Sequence, residues 1–453
     1  FQESGSSSEN WQDNNLIIVN GMDKDKNQIF GTPKAKNSVS YQPPITLPQR
    51  IDNRSVTLTT SYSPYIIQGQ TIIGQNATLT INPGVVIKFM PKEGNIDSQL
   101  WILGALKAIG GQAESEKIVF TSFLDDEYGG DTNQDENITV PYPGAWKWIL
   151  FGSPEQNINP TSDSELVNVL IRYGDADDVG VIKVEKGSSI TIKNSRLEKN
   201  KRGIWLVSSP NTIIDGVEFV DNNFLAVEIQ NGGSPIVKNS RFDGKESDQI
   251  GISVGAGTSP RIENNFFTKN KTPIIMYAGS VPILTGNRGE NNQLNGIVIS
   301  PSGGSYPEGV NQVTWVPNEN FPYIIEDSWR VNSGITLKIE PGTVIKFGSL
   351  SPIYWNFRKD AYFEIQGTLE AEGTEGKPII FTSLRDDNYG GDTNNDGLPR
   401  PEEQGPDWKG IIIKSQASAT LKWLKIRYAG AGGNEPLTIE EEANVDQENI
   451  IIE

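Results

Sequence analysis

The stretch Ile190–Phe242 reads ITIKNSRLEKNKRGIWLVSSPNTIIDGVEFVDNNFLAVEIQNGGSPIVKNSRF. Three versions of one short phrase lie inside it: ITIKNSRL, TIIDGVEF and PIVKNSRF. Two more follow, RIENNFF from Arg261 and VPILTGNR from Val281. Aligned on their turn residues Asn194, Gly216, Asn239, Asn264 and Gly286, they recur every 22 to 25 residues. An alternating apolar stretch precedes each turn, and Leu197, Phe219, Phe242 or Phe267 follows most of them. That period is the length of one coil of a β-solenoid. Asn and Gly share the corner because both tolerate the left-handed backbone region. Their stacking predicts an amide ladder along the coil axis. Val, Ile and Phe at the alternate positions predict the interior, so these Asn and Phe positions build the coil and are not a ligand site.

A longer repeat encloses the short one. SPYIIQGQTIIGQNATLTINPGVVIKF from Ser63 returns as FPYIIEDSWRVNSGITLKIEPGTVIKF from Phe321, and Pro83 matches Pro341 at a distance of 258 residues. WILGALKAIG from Trp101 returns as FEIQGTLEAEG from Phe363. GAWKWILF from Gly144 matches GPDWKGIII from Gly405, and LVNVLIRYG from Leu166 matches LKWLKIRYAG from Leu421. One internal order kept twice is a duplication. The chain therefore divides into a linker or N-terminal cap over 1–54, a first module with extra coils over 55–305, and a second module over 306–453. Residues before about Arg54 are rich in Asn, Gln and Ser, although LIIVNG from Leu16 has the composition of a strand.

Composition narrows the chemistry. The 453 residues include 46 Gly and 27 Pro, the frequent punctuation of an all-β chain. A formal charge of −18 argues against nucleic acid, whose affinity rests on Lys and Arg at phosphates. The sequence contains no Cys and no His. Disulfides, thiolate nucleophiles, a Ser-His-Asp triad and Cys- or His-based zinc sites are thereby excluded within this chain. Oxygen ligands remain, and these suit hard cations such as calcium. No apolar run has the roughly 18 residues of a membrane-spanning helix.

The ordered phrases LTINPGVVIKF, LGALKAIG, IVFTS, DDEYGGDTNQD, WKWI and IRYG resemble the right-handed parallel β-helix modules of secreted and surface-anchored bacterial proteins. The second copy, from LKIEPGTVIKF through DTNNDG and DWKGI to IRYAG, resembles them more closely. A narrower likeness is to tapirins, cellulose-attaching surface proteins with a β-helical binding region. The resemblance covers the chain from about Thr57. It implies an all-β right-handed parallel β-helix of two homologous modules with long loops, placed outside the cell or on its surface. It does not specify an activity, because one β-helix carries lyases, glycosidases, adhesins and spacers.

The acidic loop FTSFLDDEYGGDTNQDEN from Phe120 returns as FTSLRDDNYGGDTNNDGL from Phe381. In the second copy Asp392, Asn394, Asp396, Gly397 and Glu403 fit the Asp-x-Asn-x-Asp-Gly-x5-Glu pattern of a calcium loop. Alternate oxygens converge on one point and Gly turns the chain between them. Asp386 and Asp387 stand just upstream to complete the shell. Pro399 and Pro401 exclude the helix of an EF-hand, so the loop projects from a β corner. The first copy keeps Asp125, Asp126, Asp131, Asn133 and Asp135, but has Glu136 for Gly397 and Tyr142 for Glu403. The expectation is a structural calcium ion in each loop, weaker in the first copy. A solvated acidic turn is the alternative.

For function, two classes compete. Pectin-type lyases on this fold imply an Arg base, and Arg172 and Arg427 of the paired IRY phrases are candidates. Their duplication favours a structural role, and Arg is hard to deprotonate. Acidic pairs able to serve a glycosidase lie in the calcium-like loops. A passive spacer is a third possibility. Binding to an insoluble or polymeric carbohydrate is favoured by ten Trp, whose flat faces suit sugar C–H surfaces. The cluster Tyr354, Trp355 and Phe357 has no aromatic counterpart in the first module and is the candidate platform. Trp146 and Trp408 are duplicated and are assigned to packing.

Overall fold

The computed structural model describes residues 44–94, 97–153, 164–245, 248–350, 357–400 and 405–453, together with the short antiparallel pair Gly21–Met22 and Gln28–Ile29. No α-helix occurs among them. Contacts divide the chain into two compact units, one of residues 1–205 and 211–223, the other of 206–210 and 224–453.

The first unit is a coil of three parallel sheets. One contains Tyr65–Ile67, Val86–Phe89, Ile118–Ser122 and Val169–Arg172. A second contains Gln70–Ile73, Gln99–Ile102, Ile149–Phe151 and Ile182–Val184. The third contains Ser55–Leu58, Thr78–Ile81, Ala105–Ile109 and Ser164–Val167. The chain visits the sheets in rotation, so each strand pairs with strands one coil before and one coil after it. Ile45–Thr46 and Arg50–Ile51 already pair with Tyr65–Ile67 and Gln70–Ile73, so coiling starts before Arg54. Alternation does the sorting: Gln70–Ile73, Thr78–Ile81 and Gln99–Ile102 each bury every second side chain. The strands that precede and flank the acidic loop are buried throughout, as at Val86–Phe89, Ile118–Ser122 and Val169–Arg172.

The second unit repeats this plan. Leu225–Gln230, Ile250–Val254, Thr272–Ala278 and Ile297–Gly303 form one parallel ladder. Phe242 and Phe267 are fully buried and stack with centroids 4.6 Å apart. Tyr323–Ile325, Val344–Phe347 and Ile379–Ser383 carry the duplicated apolar phrase.

The corner residues adopt the left-handed backbone that their chemistry predicts. Asn194, Gly216, Asn239, Asn264 and Gly286 have φ of 49°, 67°, 52°, 56° and 65°. Gly286 is required twice over, because a Cβ there would lie 2.4 Å from Asn264 Oδ1. The amide ladder, however, is made by other residues. Asn265 Nδ2 donates to Asn287 Oδ1 at 3.0 Å, Asn270 Nδ2 to Asn292 Oδ1 at 3.1 Å, and Asn200 Nδ2 to Asn222 Oδ1 at 3.2 Å. The residue after the corner, or one at the next corner, turns inward where water is absent, so its amide must find a partner.

Candidate functional site: two acidic loops on one frame

Each acidic loop leaves the end of a buried strand, Ile118–Ser122 or Ile379–Ser383. Its carboxylates then separate into two groups with different work. Asp125 and Asp386 are buried anchors. Thr121 Oγ1 donates to Asp125 Oδ2 at 2.5 Å, and Thr382 Oγ1 to Asp386 Oδ2 at 2.6 Å. The backbone N–H groups of Glu127 and Asn388 reach the other oxygen of each at 3.2 and 3.3 Å. The paired IRY arginines meet these anchors. Arg427 Nη1 donates to Asp386 Oδ2 at 2.8 Å, whereas Arg172 lies 3.8 Å from Asp125 and bonds Glu127 at 2.6 Å. Arg172 is 2% exposed. Burial works to lower its pKa, but Asp125 and Glu127 outweigh that and raise it, which is the reverse of what a base needs.

The second group converges. One oxygen each from Asp126, Asp131 and Asp135 lies within 4.8 Å of the others, and the same holds for Asp387, Asp392 and Asp396. Burial and the neighbouring Asp131 raise the Asp126 pKa; burial and Asp392 do the same to Asp387. Several oxygens around these centres are buried without a hydrogen-bond partner: Oδ1 of Asp126 and Asn133 in the first loop, and Oδ1 of Asp387, Asp392 and Asn394 in the second. Buried acceptors left unpaired are costly, and a divalent cation removes both that cost and the mutual repulsion. Asn394 is only 8% exposed and turns its Nδ2 to Asp396 at 2.6 Å, leaving its oxygen for another partner. The donor set, carboxylate and amide oxygen only, fits calcium.

The copies differ in how far the protein itself satisfies these oxygens. Asp131 takes backbone N–H groups of Asp135 and Glu136 on its two oxygens, at 3.2 and 3.1 Å. Asp135 accepts from Ile138, Thr139 and Asn133. In the second loop Asp392 accepts only the Gly397 N–H, at 2.9 Å, among the hydrogen bonds described. Glu136 holds a φ of 57° where Gly397 holds 66°. Tyr142 is exposed, and Glu403 lies outside the described residues.

Two functional residues escaped the sequence reading. Lys88 and Lys346, from the paired VIKF phrases, are fully buried. Lys88 Nζ donates to Gly130 O at 2.6 Å and Thr132 Oγ1 at 2.7 Å; Lys346 Nζ donates to Gly391 O and Thr393 Oγ1, both at 2.6 Å. Burial pushes both ammonium groups down to about 8, against the pull of the nearby aspartates. Each ties the middle of a loop to the coil. A charged residue at one position of two otherwise apolar phrases was the available signal.

The aromatic residues sort by depth. Trp146 stacks on Phe89 at 3.9 Å, and Trp408 stacks on Phe347 at 3.9 Å. Their indole N–H groups bond Arg172 O and Arg427 O at 2.9 and 2.8 Å. Tyr354 and Trp355 lie outside the described residues, as does the side chain of Phe357.

Against known proteins, residues 180–314 match the family model described as right handed beta helix region. The chain is a right-handed parallel β-helix. Over 183 residues, 37% of this chain and 84% of the relative, it is 27% identical to the cytochrome c biogenesis ATP-binding export protein CcmA of Vibrio parahaemolyticus. The β-helix lacks the phosphate-loop pattern that ends in Gly-Lys-Ser/Thr, since its two Gly-Lys pairs are followed by Glu246 and Pro378. Among solved structures it is similar to the Agl-KA catalytic domain, with a TM-score of 0.37 and 12% identity over 83% of this chain; it spans 62% of that domain. It is also similar to the Streptococcus pneumoniae surface protein and adhesin PfbA, with a TM-score of 0.26 and 11% identity over 89% of this chain and 92% of that one.

Proposed function

We propose that this β-helix is an extracellular or cell-surface attachment protein for polysaccharide, such as cellulose, with each acidic loop braced by a calcium ion. The observation that supports the brace is the duplicated three-carboxylate centre ringed by unpartnered buried oxygens. The ion is structural in this reading: it holds a long loop that Lys88 or Lys346 and the Asp–Arg anchor also tie to the coil. The attachment role draws on the resemblance of the modules to surface-anchored β-helices, and on aromatic residues beyond those the core uses. Tyr354, Trp355 and Phe357 are one candidate platform for it.

Two measurements test this. Calcium should raise the melting temperature and a chelator lower it, because an ion bound only by the native state stabilises it by mass action; identical melting curves in both would remove the ion. Incubation with insoluble glycans should deplete the protein from solution and release no reducing ends or unsaturated sugars. Product that disappears on substitution of one carboxylate or Arg would replace attachment with catalysis.

A further inference from the structure

The first unit carries a second aromatic group that the core does not need. Trp101, Trp148 and Trp205 are partly exposed, unlike the fully buried Trp146. In Gln99–Ile102 the flanking Leu100 and Ile102 are buried, so Trp101 points outward. Its register partner on the next coil is Leu150, whose partner in turn is Lys183. Lys183 Nζ lies 5.3 Å from the Trp148 ring centre and 4.8 Å from that of Trp205, and Lys147 Nζ lies 4.4 Å from Trp148. These residues therefore form one outward-facing patch. The duplication shows that the coil closes without its rings: aligned on Gly104 and Gly367, Trp101 corresponds to Glu364, and aligned on Trp146 and Trp408, Trp148 corresponds to Gly410.

Its polar chemistry is equally particular. The indole N–H groups of Trp101, Trp148 and Trp205 are buried without an acceptor, so the part of each ring that faces outward is its carbon surface. Around them, Lys147 pairs with Asp177 at 2.8 Å, Lys92 bridges Asp97 and Asp177 at 3.3 Å each, and Lys183 pairs with Glu185 at 2.7 Å. Three ammonium groups thus face three carboxylates, so the patch is balanced within a chain of net charge −18. It offers aromatic surface, paired ammonium and carboxylate groups around it, and no net charge to attract or repel an ion.

We infer that this patch is a binding site for a neutral, hydroxyl-rich polysaccharide whose chain runs along the coil axis. Sugar C–H faces pack against the rings, and hydroxyl groups bond the ammonium and carboxylate groups around them. Coils are about 4.8 Å apart, so Trp148 and Trp205, separated by the coil of Lys183, are about 9.6 Å apart along the axis. That spacing exceeds the length of one sugar, so the two rings engage different sugars of one chain.

This site rests on the attachment reading, and one experiment separates the two. Full-length protein would be mixed with microcrystalline cellulose, with insoluble xylan and with calcium-gelled polygalacturonate, as wild type and as Trp148→Ala with Trp205→Ala. The inference expects retention on a neutral polymer, at least a tenfold loss in the variant, and an unchanged melting temperature. Trp148→Phe with Trp205→Phe, which keeps a smaller ring at each position, should fall between them and covers the case in which the alanine variant misfolds. Wild type retained on none of the polymers would overturn both the site and the attachment reading. Retention that is equal in wild type and variant would overturn the site alone, and retention only on polygalacturonate would overturn the neutral ligand.

Discussion

Trp423 sits at a φ of 52°, a left-handed conformation that disfavours a bulky side chain. The matching residue of the first module is Asn168, at 51°, and its Nδ2 donates to Gly110 O at 3.0 Å. Trp423→Asn should therefore relieve strain and gain a hydrogen bond to Gly373, the counterpart of Gly110. The left-handed region costs roughly 1–2 kcal/mol for an ordinary residue, so a gain of about 1 kcal/mol is expected, read as a higher urea midpoint. A lower midpoint would mean that the ring's packing outweighs its backbone. Asp175 supplies a pH prediction. Burial pushes its pKa up from 3.8 to about 6, although the N–H groups of Val179 and Gly180 donate to Oδ1 at 2.7 and 2.9 Å. The folded state holds this proton more tightly than the unfolded state. Its contribution to stability is therefore complete below about pH 4 and lost as the pH rises through about 6. At 1.36 kcal/mol per pH unit that is about 3 kcal/mol. Asp175→Asn cannot lose it, so relative to wild type the variant should gain stability between pH 4 and pH 7. Denaturant melts at both pH values measure this, and parallel profiles would refute it.

At the scale of the element, the two loops share a frame and differ in their free oxygens. In the second, Asp392 keeps a free acceptor, whereas Asp131 in the first gives both oxygens to its own backbone. Calcium titration should thus show two sites, the tighter one lost in Asp392→Ala with Asp396→Ala and the weaker one lost in Asp131→Ala with Asp135→Ala. Equal affinities would break the link between unpaired oxygens and binding. The coil, its corners and the acidic phrase were legible in the sequence because each has its own chemistry: a period near 23, Asn or Gly at left-handed positions, alternating oxygens. The ladder was not. In IENNFF the period places the corner at Asn264, as the structure does, but nothing in it tells that Asn265 turns inward and carries the ladder. The split within the aspartates was hidden for a similar reason. Asp125 and Asp126 are neighbours in the chain, yet Asp125 faces Thr121 and Asp126 faces Asp131 and Asp135. Side-chain direction decides this, and direction depends on the strand end from which the loop departs.

At the scale of the molecule, contacts in a parallel coil join residues one turn apart in sequence, and this has a consequence for a broken chain. Ile138 and Val140, in the first acidic loop, are 83% and 69% exposed and form an accessible cutting point. Three ladders span any cut there: Gln99–Ile102 with Ile149–Phe151, Ala105–Ile109 with Ser164–Val167, and Ile118–Ser122 with Val169–Arg172. Limited proteolysis should accordingly give two bands on a denaturing gel but one peak on native size exclusion, with faster cutting once a chelator is added. Two native peaks would contradict it. The first acidic loop is therefore a place where the protein can be nicked, split into separately expressed halves, or opened to accept an inserted domain, while the pieces go on behaving as a single body.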